Sequence, residues 1–170
     1  SMTTQIPDVC WYDGRRWDIS DYIGDTSVVP QSELLGFRTE KESTANWSGR
    51  IDHYMVFNNQ LYFFKMQVHL AAEYKEFIPQ KARKELVIRT ERMTRFDETG
   101  VKEVLANHEL VFFIFDNLIV SYTGRMILHY PHTEMWEYPC DVGDDYQRQA
   151  ELWFKKGIVI RELVKDVYIP

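Results

Sequence analysis

Apolar and polar positions are most informative between Asn46 and Leu70 (NWSGRIDHYMVFNNQLYFFKMQVHL), a stretch that predicts a long β-hairpin. Asn58-Asn59 lies between two strand-like runs, and asparagine tolerates the positive φ of a tight hairpin turn. With those two residues as the loop, Phe57 faces Gln60, Met55 faces Tyr62, His53 faces Phe64, Ile51 faces Met66, Gly49 faces Val68 and Trp47 faces Leu70. This face is almost wholly apolar and is expected to lie on the core. The opposite face pairs Val56 with Leu61, Tyr54 with Phe63, Asp52 with Lys65 and Arg50 with Gln67, which sets an opposite-charge pair near its middle. A slip of one residue would turn Lys65 and Gln67 to the core, so the pattern specifies the register.

Other elements follow from the same signals. Asp13-Gly14 between the aromatic flanks of Cys10 to Ile19 predicts a small opening hairpin. From Ser20 to Ser43 the pattern breaks up around Gly24, Pro30 and Gly36, which reads as loop with one short strand or turn near Glu33 to Arg38. Ala71 to Ile78 has the spacing of about two helical turns, stopped by Pro79. Glu85 to Phe96 reads as a strand, with a helix as the alternative, and Val101 to His108 as a short helix or loop. Leu110 to Phe115 is a continuous apolar strand covered on both faces, and Asp116-Asn117 supplies a turn into Leu118 to Tyr122.

Glu134 to Tyr138 suggests a further strand broken by Pro139. The alternation then returns, with Tyr146, Arg148, Ala150, Leu152 and Phe154 on one face. Lys155-Lys156-Gly157 fits a three-residue loop that pairs Phe154 with Ile158 and Leu152 with Ile160, before a final strand or short helix over Leu163 to Ile169. The fold expected is mainly β, with α+β as the alternative: antiparallel hairpins forming a curved, barrel-like or sandwich-like single domain over 1–170, with one or two short helices. Ser1-Met2 reads as an expression remnant.

Composition narrows the function classes. The 170 residues are 45% hydrophobic and 15% aromatic, which suits a globular, strand-rich chain. A formal charge of −6 argues against a general nucleic-acid surface, which needs clustered Lys and Arg. Two cysteines, Cys10 and Cys140, are too few for a disulfide framework and are expected to be buried, inert thiols. No apolar run is long enough for a membrane helix, and a cytoplasmic location is the default expectation.

Chemical constellations are few. His129, His132 and Glu134 are ligand types that suit zinc, but Pro131 prevents a helical presentation and a strand would put the two rings on opposite faces. A solvated turn is the better reading, and no metal, cofactor or catalytic residue is assigned. The basic residues of Lys81 to Arg95 interleave with Glu85 and Glu91, as on a self-compensating strand face. Thr123-Gly124-Arg125-Met126 echoes Ser48-Gly49-Arg50-Ile51, and chance explains the likeness better than duplication. His53 remains as a polar group on an apolar face, with Trp47, Tyr62 and Phe64 as its candidate pocket neighbours.

The run from Thr44 to Phe63 (TANWSGRIDHYMVFNNQLYF), together with Tyr122 to Tyr130 and Ala150 to Val159, resembles a group of uncharacterised bacterial β-rich proteins that carry a T-A-x-W-x-G hairpin. Some members are encoded in bacterial conflict loci, so the resemblance implies an immunity or interaction role and brings no catalytic residues. Two functions are therefore expected in this order: a non-catalytic protein-binding module, of immunity type, that binds a bacterial effector; or a β-barrel that binds a small apolar or aromatic ligand around His53. An enzyme of His and carboxylate chemistry is a third reading. Open strand edges also admit a homodimer.

Overall fold

Three tight turns set the path of the chain. Asp13-Gly14, Asn58-Asn59 and Lys156-Gly157 take positive φ at both central positions, 52° and 68°, 49° and 61°, 48° and 81°. This is the backbone of a type I′ turn, whose twist matches the strands it joins. In a computed structural model, which describes residues 7–24, 36, 49–131 and 146–168, these turns join β1 (Asp8–Tyr12) to β2 (Arg15–Gly24), β3 (Arg50–Phe57) to β4 (Gln60–Val68), and β8 (Tyr146–Lys155) to β9 (Ile158–Tyr168). Among the described residues the remaining strands are β5 (Ala82–Asp97), β6 (Gly100–Ile119) and β7 (Gly124–Tyr130), with one 3-10 turn at Ala72–Tyr74. The protein is mainly β.

The strands follow the order β3-β1-β2-β7-β8-β9-β4, and β4 also pairs with β3, so the sheet curves into a ring-like arrangement rather than a formal barrel. β1 runs parallel to β3 and the other pairings are antiparallel. The seam between β9 and β4 is short. Gln60 pairs with Ile158, the Leu61 N–H donates to the Gly157 carbonyl and the Val159 N–H to the Asn59 carbonyl, each at 2.8 Å. Beyond this seam β6 takes over as the neighbour of β4, and β5 pairs with β6 along its whole length. The distal part of β5 and β6 leaves the ring as a two-stranded arm.

Side chains from β1, β2, β3, β4, β7 and β8 fill the inside, and Val159 of β9 packs against them half-buried. Cys10, Tyr12, Trp17, Ile19, Tyr54, Leu61, Phe63, Met66, Met126, Leu128, Leu152 and Phe154 form one buried cluster with Phe113 and Phe115 of β6. Trp17 keeps its indole N–H satisfied by donating to the Tyr12 carbonyl at 2.9 Å. Among the described residues no helix is long and apolar enough to cross a membrane.

The main hairpin forms at its predicted turn, and its register holds from Phe57↔Gln60 to Tyr54↔Phe63. There Phe64 bulges out, so His53 lies opposite Lys65, Asp52 opposite Met66, Ile51 opposite Gln67 and Arg50 opposite Val68. The expected Asp52–Lys65 and Arg50–Gln67 pairs do not form. The inward face is also the other one: Tyr54, Leu61 and Phe63 join the core, whereas His53, Met55 and Phe64 face outward. The extra residue changes the parity of β4, which brings Met66 and Val68 inward after Phe63 without turning Lys65 into the core.

Other expectations shift for similar reasons. Lys156 takes the left-handed conformation itself, so the last turn has two residues and Phe154 pairs with Val159, Leu152 with Glu162. Asp116-Asn117 is not a hairpin turn but part of an irregularity within β6, between Ile114 opposite Lys65 and Leu118 opposite Phe63. Val101 to His108 is strand, because it pairs residue for residue with β5. The helical spacing after Leu70 yields only the 3-10 turn. Arg50 faces inward and Arg125 outward against Trp153, so the two Gly-Arg segments play different parts. Apart from Gly36, the stretches near Glu33 to Arg38 and Glu134 to Tyr138 lie outside the described residues.

Candidate functional site

The Asp-Gly turn places Trp11 opposite Arg16, and the parallel pairing of β1 with β3 places Trp11 beside Met55. One step along, Val9 lies between Asp18 and His53, and His53 lies beside Lys65. Of these alternate positions, Trp11, Arg16, Met55, His53 and Lys65 line an open groove of about 440 Å³. Trp11, Met55, Val56, Phe57 and Phe64 give it an apolar lining, and Gly14, Arg16, His53 and Lys65 complete it.

The groove joins two kinds of surface. Trp11 is 40% exposed and Phe57 58%, so large apolar side chains remain open to a ligand. Around them stand cationic or ionisable groups in a protein of net charge −6. Lys65 stands over the Phe112 ring, with Nζ 4.3 Å from its centroid. Burial, and next the positive charge of Arg16, hold its ammonium below the usual lysine range. An anion placed between Arg16 and Lys65 relieves that repulsion. His53 is buried, and its ring meets Phe64 edge-on at 6.2 Å between centroids.

Of the residues singled out in the sequence, His53 and Phe64 line this groove, and their contact survives although they are not register partners. Tyr62 pairs with Met55 but is not a lining residue. Trp47 lies outside the described residues, as do His132 and Glu134 of the metal-type triad. His129 pairs with Asp18 on β2, three strand positions from His53, or about 14 Å at the usual strand spacing. Among the described residues no three His, Cys, Asp or Glu side chains gather as a metal site. Sequence reading missed Trp11, Arg16 and Lys65. The turn at Asp13-Gly14 already implies the Trp11–Arg16 pair, but nothing local reveals the parallel β1–β3 contact or the Phe64 bulge.

A second constellation faces inward at the β1–β3 contact. Asp8 accepts from the Tyr22 hydroxyl at 2.6 Å and from the Asp52 N–H at 2.8 Å. Arg50 holds Asp52 through both Nε and Nη2, at 3.1 and 2.9 Å. Burial, and next the charge of Asp52, push the Asp8 carboxyl up to about 6, and burial also raises Asp52 against the opposing pull of Arg50. Such perturbed acids can mark chemistry. Here the groups satisfy one another and tie β1, β2 and β3 together, while the groove on the other side of the same strands offers open space. No protein-family model, curated protein or solved structure matches the chain.

Proposed function

We propose that the protein is a binding protein that holds a small organic anion with an aromatic or apolar body in the groove around His53. The observation that carries this reading is the combination of exposed Trp11 and Phe57 with Arg16 and Lys65 over one open space of about 440 Å³. That volume lies within the range of small-molecule sites. In this reading the ligand body lies on Trp11, Met55 and Phe64, and its charge meets Lys65, whose ammonium is disfavoured by burial and by Arg16 and is favoured by an added anion.

Fluorescence titration with anilinonaphthalenesulfonate, an aromatic anion, tests it. Lys65→Met keeps the stem and removes the charge, and is expected to weaken binding about tenfold or more, the effect of losing a charge-assisted contact. Phenylnaphthylamine, the same body without the anion, is expected to respond little to that change. Equal affinity of wild type and Lys65→Met for the sulfonate refutes the assignment. A protein partner, including the effector-binding role the resemblance implies, is the second reading, favoured by the apolar residues of the β5–β6 arm.

A further inference from the structure

Beyond Leu86↔Val111 the arm has no neighbour from the ring: β4 pairs with β6 only over Val111–Ile119, leaving Val87–Asp97 and Gly100–Leu110 as a ribbon roughly 35 Å long. It is open on both faces, with Ile88 71%, Phe96 77%, Val101 65% and Leu105 64% exposed on one and Met93 48% exposed on the other. A two-stranded ribbon of this kind is marginal in water. Among the described residues β5 is moreover the last strand of the sheet, with one backbone edge that none of the described strands pairs.

The charge pattern of β5 says what fits that edge. On one face stand Arg83, Glu85, Val87, Arg89, Glu91, Met93, Arg95 and Asp97, a sequence of positive, negative, apolar, positive, negative, apolar, positive, negative. Read backwards it is its own complement about Thr90. Two copies of β5 laid antiparallel with Thr90 opposite Thr90 pair Arg83 with Asp97, Glu85 with Arg95, Val87 with Met93 and Arg89 with Glu91, each pair occurring twice. The other face then sets Ile88 against Arg92 and Leu86 against Thr94, with no like charges opposed.

Neighbouring registers lack this match. Centring on Arg89 opposes Arg89 to itself and Arg83 to Arg95; centring on Glu91 opposes Glu91 to itself and Glu85 to Asp97. Within one copy β6 does not supply the same complement, since Arg95 stands directly opposite Lys102. Glu91 touches His108 at 3.1 Å from the β6 side, and its β5 side is open to a second copy. We infer that β5 is a self-pairing edge: two copies join antiparallel about Thr90 into a continuous β6-β5-β5-β6 sheet with two-fold symmetry.

Sedimentation at low ionic strength tests this on the full chain. Wild type is expected to be a dimer that weakens with salt. Arg89→Glu and Glu91→Arg each turn attraction into repulsion at two contacts and are expected to weaken the dimer about ten- to hundredfold. Mixing the two variants in equal amounts restores opposite charges at both contacts and is expected to restore the dimer. Glu85→Arg and Arg95→Glu form a second mixing pair should either first variant lose its strand signal by circular dichroism. A wild type that stays monomeric, which would assign the arm to another partner, overturns the inference. So do single variants that dimerise like wild type, or mixtures that remain apart.

Discussion

Asp8→Asn separates the electrostatic burden of the inward carboxyls from their hydrogen bonds. Asparagine keeps a side-chain oxygen for the Asp52 N–H and an amide that can donate to the Tyr22 oxygen, while removing the charge beside Asp52. The folded protein raises the Asp8 carboxyl from 3.8 to about 6, so between these values the native state binds a proton that the unfolded chain has released. Stability from this group is therefore complete below about pH 4 and is lost as pH rises towards 6. The full interval corresponds to about 3 kcal/mol. Because Asp8 keeps part of its surface in contact with solvent, about 1–2 kcal/mol is expected in practice. Urea unfolding at several pH values should find the variant close to wild type near pH 4 and more stable by that amount near pH 8. A difference that does not change with pH, or a variant weaker than wild type at pH 8, would refute the account of Asp8 as a charge held at a cost.

Two further changes probe the ring. Gly157→Ala places a Cβ against the Val120 carbonyl at a position with φ of 81°. A loss of about 2–4 kcal/mol is expected, read as a drop in thermal midpoint, and a midpoint equal to wild type would show that the β9–β4 seam yields freely. Deleting Phe64 removes the extra residue and leaves β4 in plain alternation, with Met66 and Val68 still inward and Lys65 and Gln67 still outward, while the aromatic ring that meets His53 is lost. The chain is expected to keep a cooperative unfolding transition, and loss of that transition would mean that the bulge itself, and not only the alternation around it, holds β4 in the ring.

The local letters of the chain determined most of the strands and the first two hairpin turns. Asp13-Gly14 and Asn58-Asn59 carry residues that accept positive φ, and the alternation in Tyr146 to Phe154 correctly places Ala150, Leu152 and Phe154 inside, whereas Lys156-Gly157 forms a turn one residue shorter than expected. These features are legible because a turn and its flanking pairs depend on neighbours only. Which face of the main hairpin is buried was not legible, since both faces are rich in apolar residues and periodicity cannot rank them. The packed ring decided it, by placing the bulge at Phe64 and accepting Arg50 and Asp52 inward where Asp8 and Tyr22 complete their bonding. Val101 to His108 fits helix or strand by itself, and its partner β5 resolved it. The groove has the same origin. Trp11, Arg16, His53 and Lys65 come from four strands and meet only because β1, far earlier in the chain, lies parallel to β3, a contact between distant segments that no local pattern encodes.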